Sequence, residues 1–452
     1  MALLLVFALP LAGLLVVLLA AGGWRAARRP APLAVMLVAS ALMAVALLAL
    51  SDPGALLEDF RGAYLRAGRE VLAHGPAGLA PMLERGVDGF VNLPIVAYLF
   101  WPFAALPPLL TGLLFTALGV GCVLAAWYAL VRALLLDRAA ALTLLFVFAA
   151  SGPLMNSVRE GNLTHFLLWP LAVAMLQIRR DAQFRAGVLL GVAAVIKLPL
   201  LLLGVYYLLT GRWRVALGGA LVCALAGVAS LAVFGWGMHV QWYTQCIQPF
   251  AQDPMPAFNV QSVQAFVGRL QVGAEGLHEW RTVPIDAGLA LASKALVALI
   301  YGTVLLGLWQ VWRRGGLPWT GRTDAPAMAC SDAEFMLIVA LACVTSPLTW
   351  VHYYCWFLLP AAFFVQAMQE GEEGGAARHA VGWFALLACS LPVVTLPLAT
   401  SAPAQWYART LVSLPLAGAL AWMLWIWLGI RAPRSRRALA AAPQARFLGP
   451  KP

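Results

Sequence analysis

Apolar runs of about 20 residues recur along most of this chain. Each is long enough to cross the roughly 30 Å hydrocarbon core of a bilayer as a helix. In lipid, backbone N–H and C=O groups must be paired within the chain, so helices are the default spanning element. Composition agrees: of 452 residues, 62% are hydrophobic and only 11% charged, where a soluble domain carries about 25% charged residues. The fold class expected is therefore an all-α polytopic membrane protein.

The net charge of +11 reads as a positive-inside bias rather than as a nucleic-acid surface. Seven cysteines (Cys122, Cys223, Cys246, Cys330, Cys343, Cys355 and Cys389) are scattered without CxxC or Cys/His spacing. Five fall in expected spans, Cys330 just before one and Cys246 in an expected outer loop, which argues against a disulfide framework and a zinc site. The N-terminus lacks a basic n-region and reads as a first span, not a cleaved signal.

Charge orients the spans. They are expected at about 3–21, 32–50, 108–131, 139–155, 163–178, 215–235, 286–312, 334–347, 352–369, 378–400 and 408–430, about 11 in all. Outer mass concentrates at about 51–106 and 236–285, with a short outer turn at "NSVREGN". The stretch "AGVLLGVAAVIKLPLLLLGVYYLLTGRWR" is flanked on both sides by arginines: Arg179, Arg180 and Arg185 before it, Arg212 and Arg214 after it. One kinked span would put these flanks on opposite faces. Two half-helices turning at Lys197-Leu198-Pro199 put both inside, and each half is too short to span. A re-entrant hairpin is the favoured reading. Residues 1–430 form one membrane domain, and 431–452 a basic cytoplasmic tail expected to be disordered. No internal repeat of the transporter kind is visible.

Charge near a membrane must be solvated, paired or used. In "LLEDFRGAYLRAG", Glu58 and Asp59 follow the second span closely. A carboxylate there suits a general base for a hydroxyl arriving from water; an ordinary reading is a salt-bridged helix start, with Glu58 and Arg61 spaced i,i+3. "VREGNLTH" supplies Arg159, Glu160, Asn162 and His165, as headgroup ligands or as a cap on the next helix, with Asn162 a suitable N-cap. Lys197 lies about 11 residues from either flank, too far to snorkel, and calls for a cavity or an anion. "TSPLTWVHYYCW" brings Trp350, His352, Tyr353 and Tyr354; an aromatic belt explains the tryptophan and tyrosines but not the histidine. Asn259, Gln261, Ser262 and Gln264 read as loop solvation or as sugar ligands. No Walker, Rossmann, HExxH or nucleophile-elbow pattern stands out.

In their order these features resemble the GT-C membrane glycosyltransferases, most closely family 87, the polyprenyl-phosphate-mannose-dependent group. Four stretches between about residues 50 and 365 carry the resemblance: "EDFRGAYLRAGREVLAHG", "FVNLPIVAYLFWPFAALPP", "REGNLTHFLLWPLAVAMLQIRR" with the lysine-proline hairpin after it, and "SPLTWVHYYCWFLLP". Two positions depart from the family pattern. Asn92-Leu93-Pro94 stands where a Tyr-Pro-Pro-like step is usual, and Glu160 stands where glutamine is often found.

The resemblance implies a GT-C-like bundle and an inverting hexosyltransferase of the EC 2.4 type. It would move a sugar, mannose favoured, from a polyprenyl-phosphate donor to a lipid or glycan hydroxyl at the outer face of the inner membrane. No cofactor and no metal are expected. It implies Asp59 as the base; Lys197, His352, Arg159 and Arg61 near the donor phosphate; and Asn162, Glu58, Tyr64, His165 and Tyr353 as positioning residues. The expected partners are the lipid-linked donor, the acceptor and membrane lipids, with no nucleic acid. A flippase or transporter of lipid-linked sugars is the alternative, and would call for comparable cavities on both faces.

Overall fold

A computed structural model describes residues 56–315, 325–371, 375–393 and 401–431. The spans expected at 3–21 and 32–50, and the tail beyond Arg431, lie outside the described residues. Within them the elements are helical, apart from a single bridge between Val260 and Trp350.

Chain entry is through a π-helical segment, Phe60–Leu65, which runs into α1 (Arg66–His74). Phe60 and Tyr64 are buried. Phe60 stacks on Phe115 with centroids 4.0 Å apart, and Tyr64 stacks on Phe100 at 4.9 Å. Offset aromatic pairs of this kind add to simple area burial, and here they fasten the segment that begins at Asp59 to the 3-10 stretch Pro94–Phe100 and to α2 (Pro108–Ala133).

Next come α3 (Arg138–Ala149) and α4 (Gly152–Glu160), bent against each other by 56°. Ser151 caps α4 through Leu154 N–H, and Pro153 occupies its first turn, where a missing N–H costs nothing. The expected turn "NSVREGN" is therefore mostly the end of α4, with the reversal itself at Gly161 (φ 68°). A Cβ at Gly161 would stand 2.6 Å from the Phe60 Cβ, so glycine is required there for both backbone and space. Asn162 then caps the turn Leu163–His165, as its sequence position indicates, and α5 (Leu168–Arg179) follows.

The helices α6 (Gln183–Ile196) and α7 (Leu201–Leu209) meet at Lys197-Leu198-Pro199, where Lys197 is extended (φ −133°, ψ 96°). Gly187 lies against Val215 and Gly218, and Gly191 against Gly219 and Val222, so α6 runs parallel to α8 (Trp213–Cys246). Arg179, just before the pair, bonds Asp332; Arg212, just after it, pairs with Glu334. Those carboxylates are two residues apart on one helix, Ala325–Thr345. A continuous helix would hold the two arginines on the order of 40–50 Å apart. The chain therefore doubles back at Lys197, as the doubly basic flanks indicate.

Beyond its kink at Gly235, α8 continues through the region expected as a loop. His239 staples the kink: Nδ1 donates to the Gly235 carbonyl at 2.8 Å, and Nε2 lies 2.8 Å from Ser230 Oγ. Cys246 is thus the buried last residue of a helix rather than a loop residue. After it come α9 (Val263–Val272), α10 (Ala287–Gly315), α11 (Ala325–Thr345), α12 (Leu358–Glu370), α13 (Gly375–Ser390), α14 (Ala402–Arg409) and α15 (Leu414–Arg431).

Among the described residues five helical stretches are long and apolar enough to cross a membrane, or six if α3 and α4 count as one: Pro108–Ala133, Trp213–Cys246, Ala287–Gln310, Val351–Glu370 and Ala402–Ile430. The count of about 11 is not reached. Two expected spans fall outside the described residues, and others stop short for a physical reason. Proline and glycine at 152–153 break one, and α5 has only 12 residues, about 18 Å of rise. These helices lie in a protein of apolar exterior, with Leu109, Leu118, Leu225 and Leu299 more than half exposed, as an integral membrane protein requires.

Candidate active site

Asp59 stands at the start of the π-helical segment, a kind of turn that is frequent at functional sites. Its Oδ2 accepts a hydrogen bond from Asn162 Nδ2 at 2.6 Å. The orientation of that amide is fixed, because Asn162 Oδ1 accepts from Thr164 N–H and from the Thr164 hydroxyl. A second tie holds the two segments in register: Leu57 N–H donates to the Arg159 carbonyl at 2.6 Å. The glycine at 161 permits this approach of the 159–162 turn to Phe60.

Burial raises the Asp59 carboxyl above its ordinary value, with Glu58 adding to the rise; the Asn162 bond, Lys197 and Arg159 oppose it. The outcome is a carboxylate more basic than one in water, which suits a proton acceptor. Tyr64 is buried beside Asn162 and the Leu163 backbone, with Asp59 nearby, and burial lifts its phenol well above the ordinary value, leaving it a neutral donor.

Lys197 projects from the hairpin tip into the same region. It is 5% exposed, yet no carboxylate lies within 4 Å of it among the described residues. Its Nζ sits 4.8 Å from the Tyr353 ring centroid, a cation–π contact, and feels the more distant charge of Asp59. His352 is buried, stacks on Trp350 at 6.3 Å, and its Nε2 makes no hydrogen bond among the described residues. The structure thus gathers Asp59, Asn162, Tyr64, Lys197, Tyr353 and His352.

A cleft of about 390 Å³ opens beside Lys197 and Tyr353. Its walls are mostly apolar, with Leu93, Leu198, Leu202 and Ile247 among them. Its polar lining comes from Asn92, Tyr301, Thr345 and Ser346. Asn92, Thr345 and Ser346 lie in stretches that the sequence singles out, Asn92 at a departure from the family pattern, whereas Tyr301 lies in an apolar run and carries no signal.

Other expected site residues are engaged elsewhere. Arg159 pairs with Glu160 and donates to Asn156 Oδ1 at 2.8 Å, so part of its charge is neutralised. Arg61 is exposed and donates to the Leu56 carbonyl. Glu58 is exposed on the same turn. The His165 ring lies 3.0 Å from Ser157 Oγ through Nδ1, and its Nε2 edge rests against Gly119 of α2, which makes it a packing histidine between helices. Gln261 and Ser262 are likewise built into the fold. Gln261 donates to the Phe258 and Val412 carbonyls, and Ser262 caps α9.

A half-buried base near a buried cation, with an apolar cleft beside it, is the equipment for activating a hydroxyl against a substrate with an anionic leaving group. The family model of glycosyltransferase family 87 matches residues 90–347. Asn162 and Lys197 lie inside that match, whereas His352 lies a few residues beyond it and Asp59 well before it. No curated protein and no solved structure matches the chain. The family match covers more than half of the sequence, and the chain belongs to glycosyltransferase family 87.

Proposed function

We propose that this glycosyltransferase moves a sugar, mannose favoured, from a polyprenyl-phosphate donor to a hydroxyl of a lipid or glycan acceptor. The observation that carries the reading is the pairing of Asp59, made basic by burial and aimed by Asn162, with Lys197, a buried cation without a carboxylate in contact among the described residues. Asp59 takes the acceptor proton as the acceptor oxygen attacks the anomeric carbon. The bond from that carbon to the phosphate oxygen breaks, and the phosphate leaves with the electron pair. Lys197 and His352 receive the charge that develops on it. A single displacement inverts the anomeric centre. The apolar cleft accommodates the first part of a polyprenyl chain.

This chemistry asks for no cofactor, and turnover in excess chelator is expected to equal turnover without it. The positive-inside bias of the sequence supports a site at the outer, periplasmic side of the inner membrane and a cytoplasmic C-terminus. The test is direct. Purified protein is given radiolabelled polyprenyl-phosphate mannose and a set of glycolipid acceptors. Transfer by wild type, with loss in Asp59→Asn, supports the reading. Equal transfer by both would remove Asp59 from the role of base, and consumption of no polyprenyl-phosphate sugar would remove the donor assignment.

A further inference from the structure

Asn92 lines the cleft, has no part in the proposed reaction, and is held in place by the fold. It is 6% exposed, in the short link before Pro94–Phe100. Its Nδ2 donates to the Ile196 carbonyl at 2.8 Å. A carbonyl can only accept, so this contact settles which end of the amide is nitrogen. Oδ1 therefore points the other way. It accepts no hydrogen bond among the described residues, and it is not sealed in the packing. Asn92 lines the cleft together with Lys197, the residue that follows Ile196. The lining of the cleft thus joins an amide whose nitrogen is engaged, leaving its oxygen to accept, and a buried cation.

Such a pair fits a ligand in which a hydroxyl sits near an anionic group. Resting on the glycosyltransferase reading, we propose that Asn92 determines donor specificity: its Oδ1 accepts a hydrogen bond from one hydroxyl of the donor sugar, while Nδ2 holds the hairpin tip that carries Lys197. A site built to accept from a hydroxyl discriminates against the analogue that lacks it, because the fixed oxygen is then left unpaired in a poorly solvated cleft. A sugar with the opposite configuration at that carbon aims its hydroxyl elsewhere and is rejected in the same way.

The test is a cycle of enzyme and donor variants. Wild type, Asn92→Ser, Asn92→Leu and Asn92→Asp are each assayed for kcat/KM on the native polyprenyl-phosphate sugar. The same is done on donors with one sugar hydroxyl at a time replaced by fluorine, which cannot donate. Asn92→Ser and Asn92→Leu are expected to lose about tenfold on the native donor. For one fluorinated donor that loss should shrink to within about twofold. Asn92→Asp keeps an acceptor oxygen while giving up the same donation to Ile196, so its loss should be equal on every donor, within about twofold, and the wild-type ranking should hold. Because Asn92→Ser and Asn92→Asp are small polar changes, at least one folded variant is available, as checked by melting temperature in detergent. An equal loss on all donors in Asn92→Ser and Asn92→Leu would overturn the proposal and leave Asn92 as a brace for the hairpin. Failure of the wild type to use the native donor would instead overturn the underlying reading, and the assignment with it.

Discussion

The hairpin of α6 and α7 carries cations at both ends, and the two ends treat them in opposite ways. At the base, Arg179 makes a bidentate contact with Asp332, Nε and Nη2 donating at 2.6 to 3.0 Å, and gives Nη1 to the Ala133 carbonyl. Arg212 pairs with Glu334 at 3.3 Å and donates to Ser331 Oγ at 2.9 Å. Both carboxylates are buried. At the tip, Lys197 is also buried but rests on an aromatic face, with no acid within 4 Å among the described residues. Guanidinium forks suit fixed bidentate pairing, and an ammonium on a flexible stem suits a ligand that comes and goes. The base holds the hairpin's legs in place, and the tip keeps a charge available. A membrane protein tolerates such an unmatched charge only where it has a use.

This contrast can be broken by mutation. The largest effect is expected next to the tip, at Asp59. Asp59→Asn preserves shape and removes proton acceptance, so kcat should fall by about 10²- to 10⁴-fold while the melting temperature holds. Lys197→Met should follow, with a drop in kcat/KM of about 10²- to 10³-fold, again at unchanged or higher stability, since a buried cation lacking a counter-charge disappears. Arg179→Met at the base should do the reverse. It strands Asp332, and breaking a buried pair costs about 3–5 kcal/mol, read as a lower melting temperature in detergent. The protein that remains folded should transfer sugar at near the wild-type rate. If Lys197→Met destabilises as much as Arg179→Met while sparing activity, the two ends do not differ in the way described.

The sequence carried some of this and not the rest, for identifiable reasons. The hairpin was legible because arginines mark both its flanks and a lysine-proline step marks its turn, a pattern of charge that only a reversal satisfies. Lys197 was legible because no snorkelling route exists. Asp59 stood out from Glu58 only through the family likeness of the Asp-Phe step; in the structure the difference is that Asp59 meets Asn162 while Glu58 faces outward. The span count was not legible. Hydropathy measures greasiness, not continuity, and it passes over the bend between α3 and α4. It also reads the end of α8 as a loop, because residues such as His239 and Gln241 lower its hydropathy while they bond the kink and the Ala80 carbonyl. Asn92 was visible only as a departure from the family pattern and not as a site residue, since its place is set by a carbonyl 104 positions away.

The smallest effect, and the sharpest test of the tip, is in the pH profile. Asp59 acts as a base only when ionised, and burial holds its carboxyl above the usual carboxylate range. The acid limb of kcat/KM, which reports the free enzyme, should therefore lie above the ordinary carboxylate value. Asn162 and Lys197 both stabilise the ionised form and so lower the carboxyl from where burial alone would leave it. Asn162→Ala removes a hydrogen bond to the charged form, and the limb must then move to higher pH. Lys197→Met must move it in the same direction. Arg179→Met, at the far end of the hairpin, should leave the limb where it is. A downward shift in Asn162→Ala would mean that the limb belongs to a group other than Asp59. A shift in Arg179→Met equal to that in Lys197→Met would mean that the two ends of the hairpin are electrically one site.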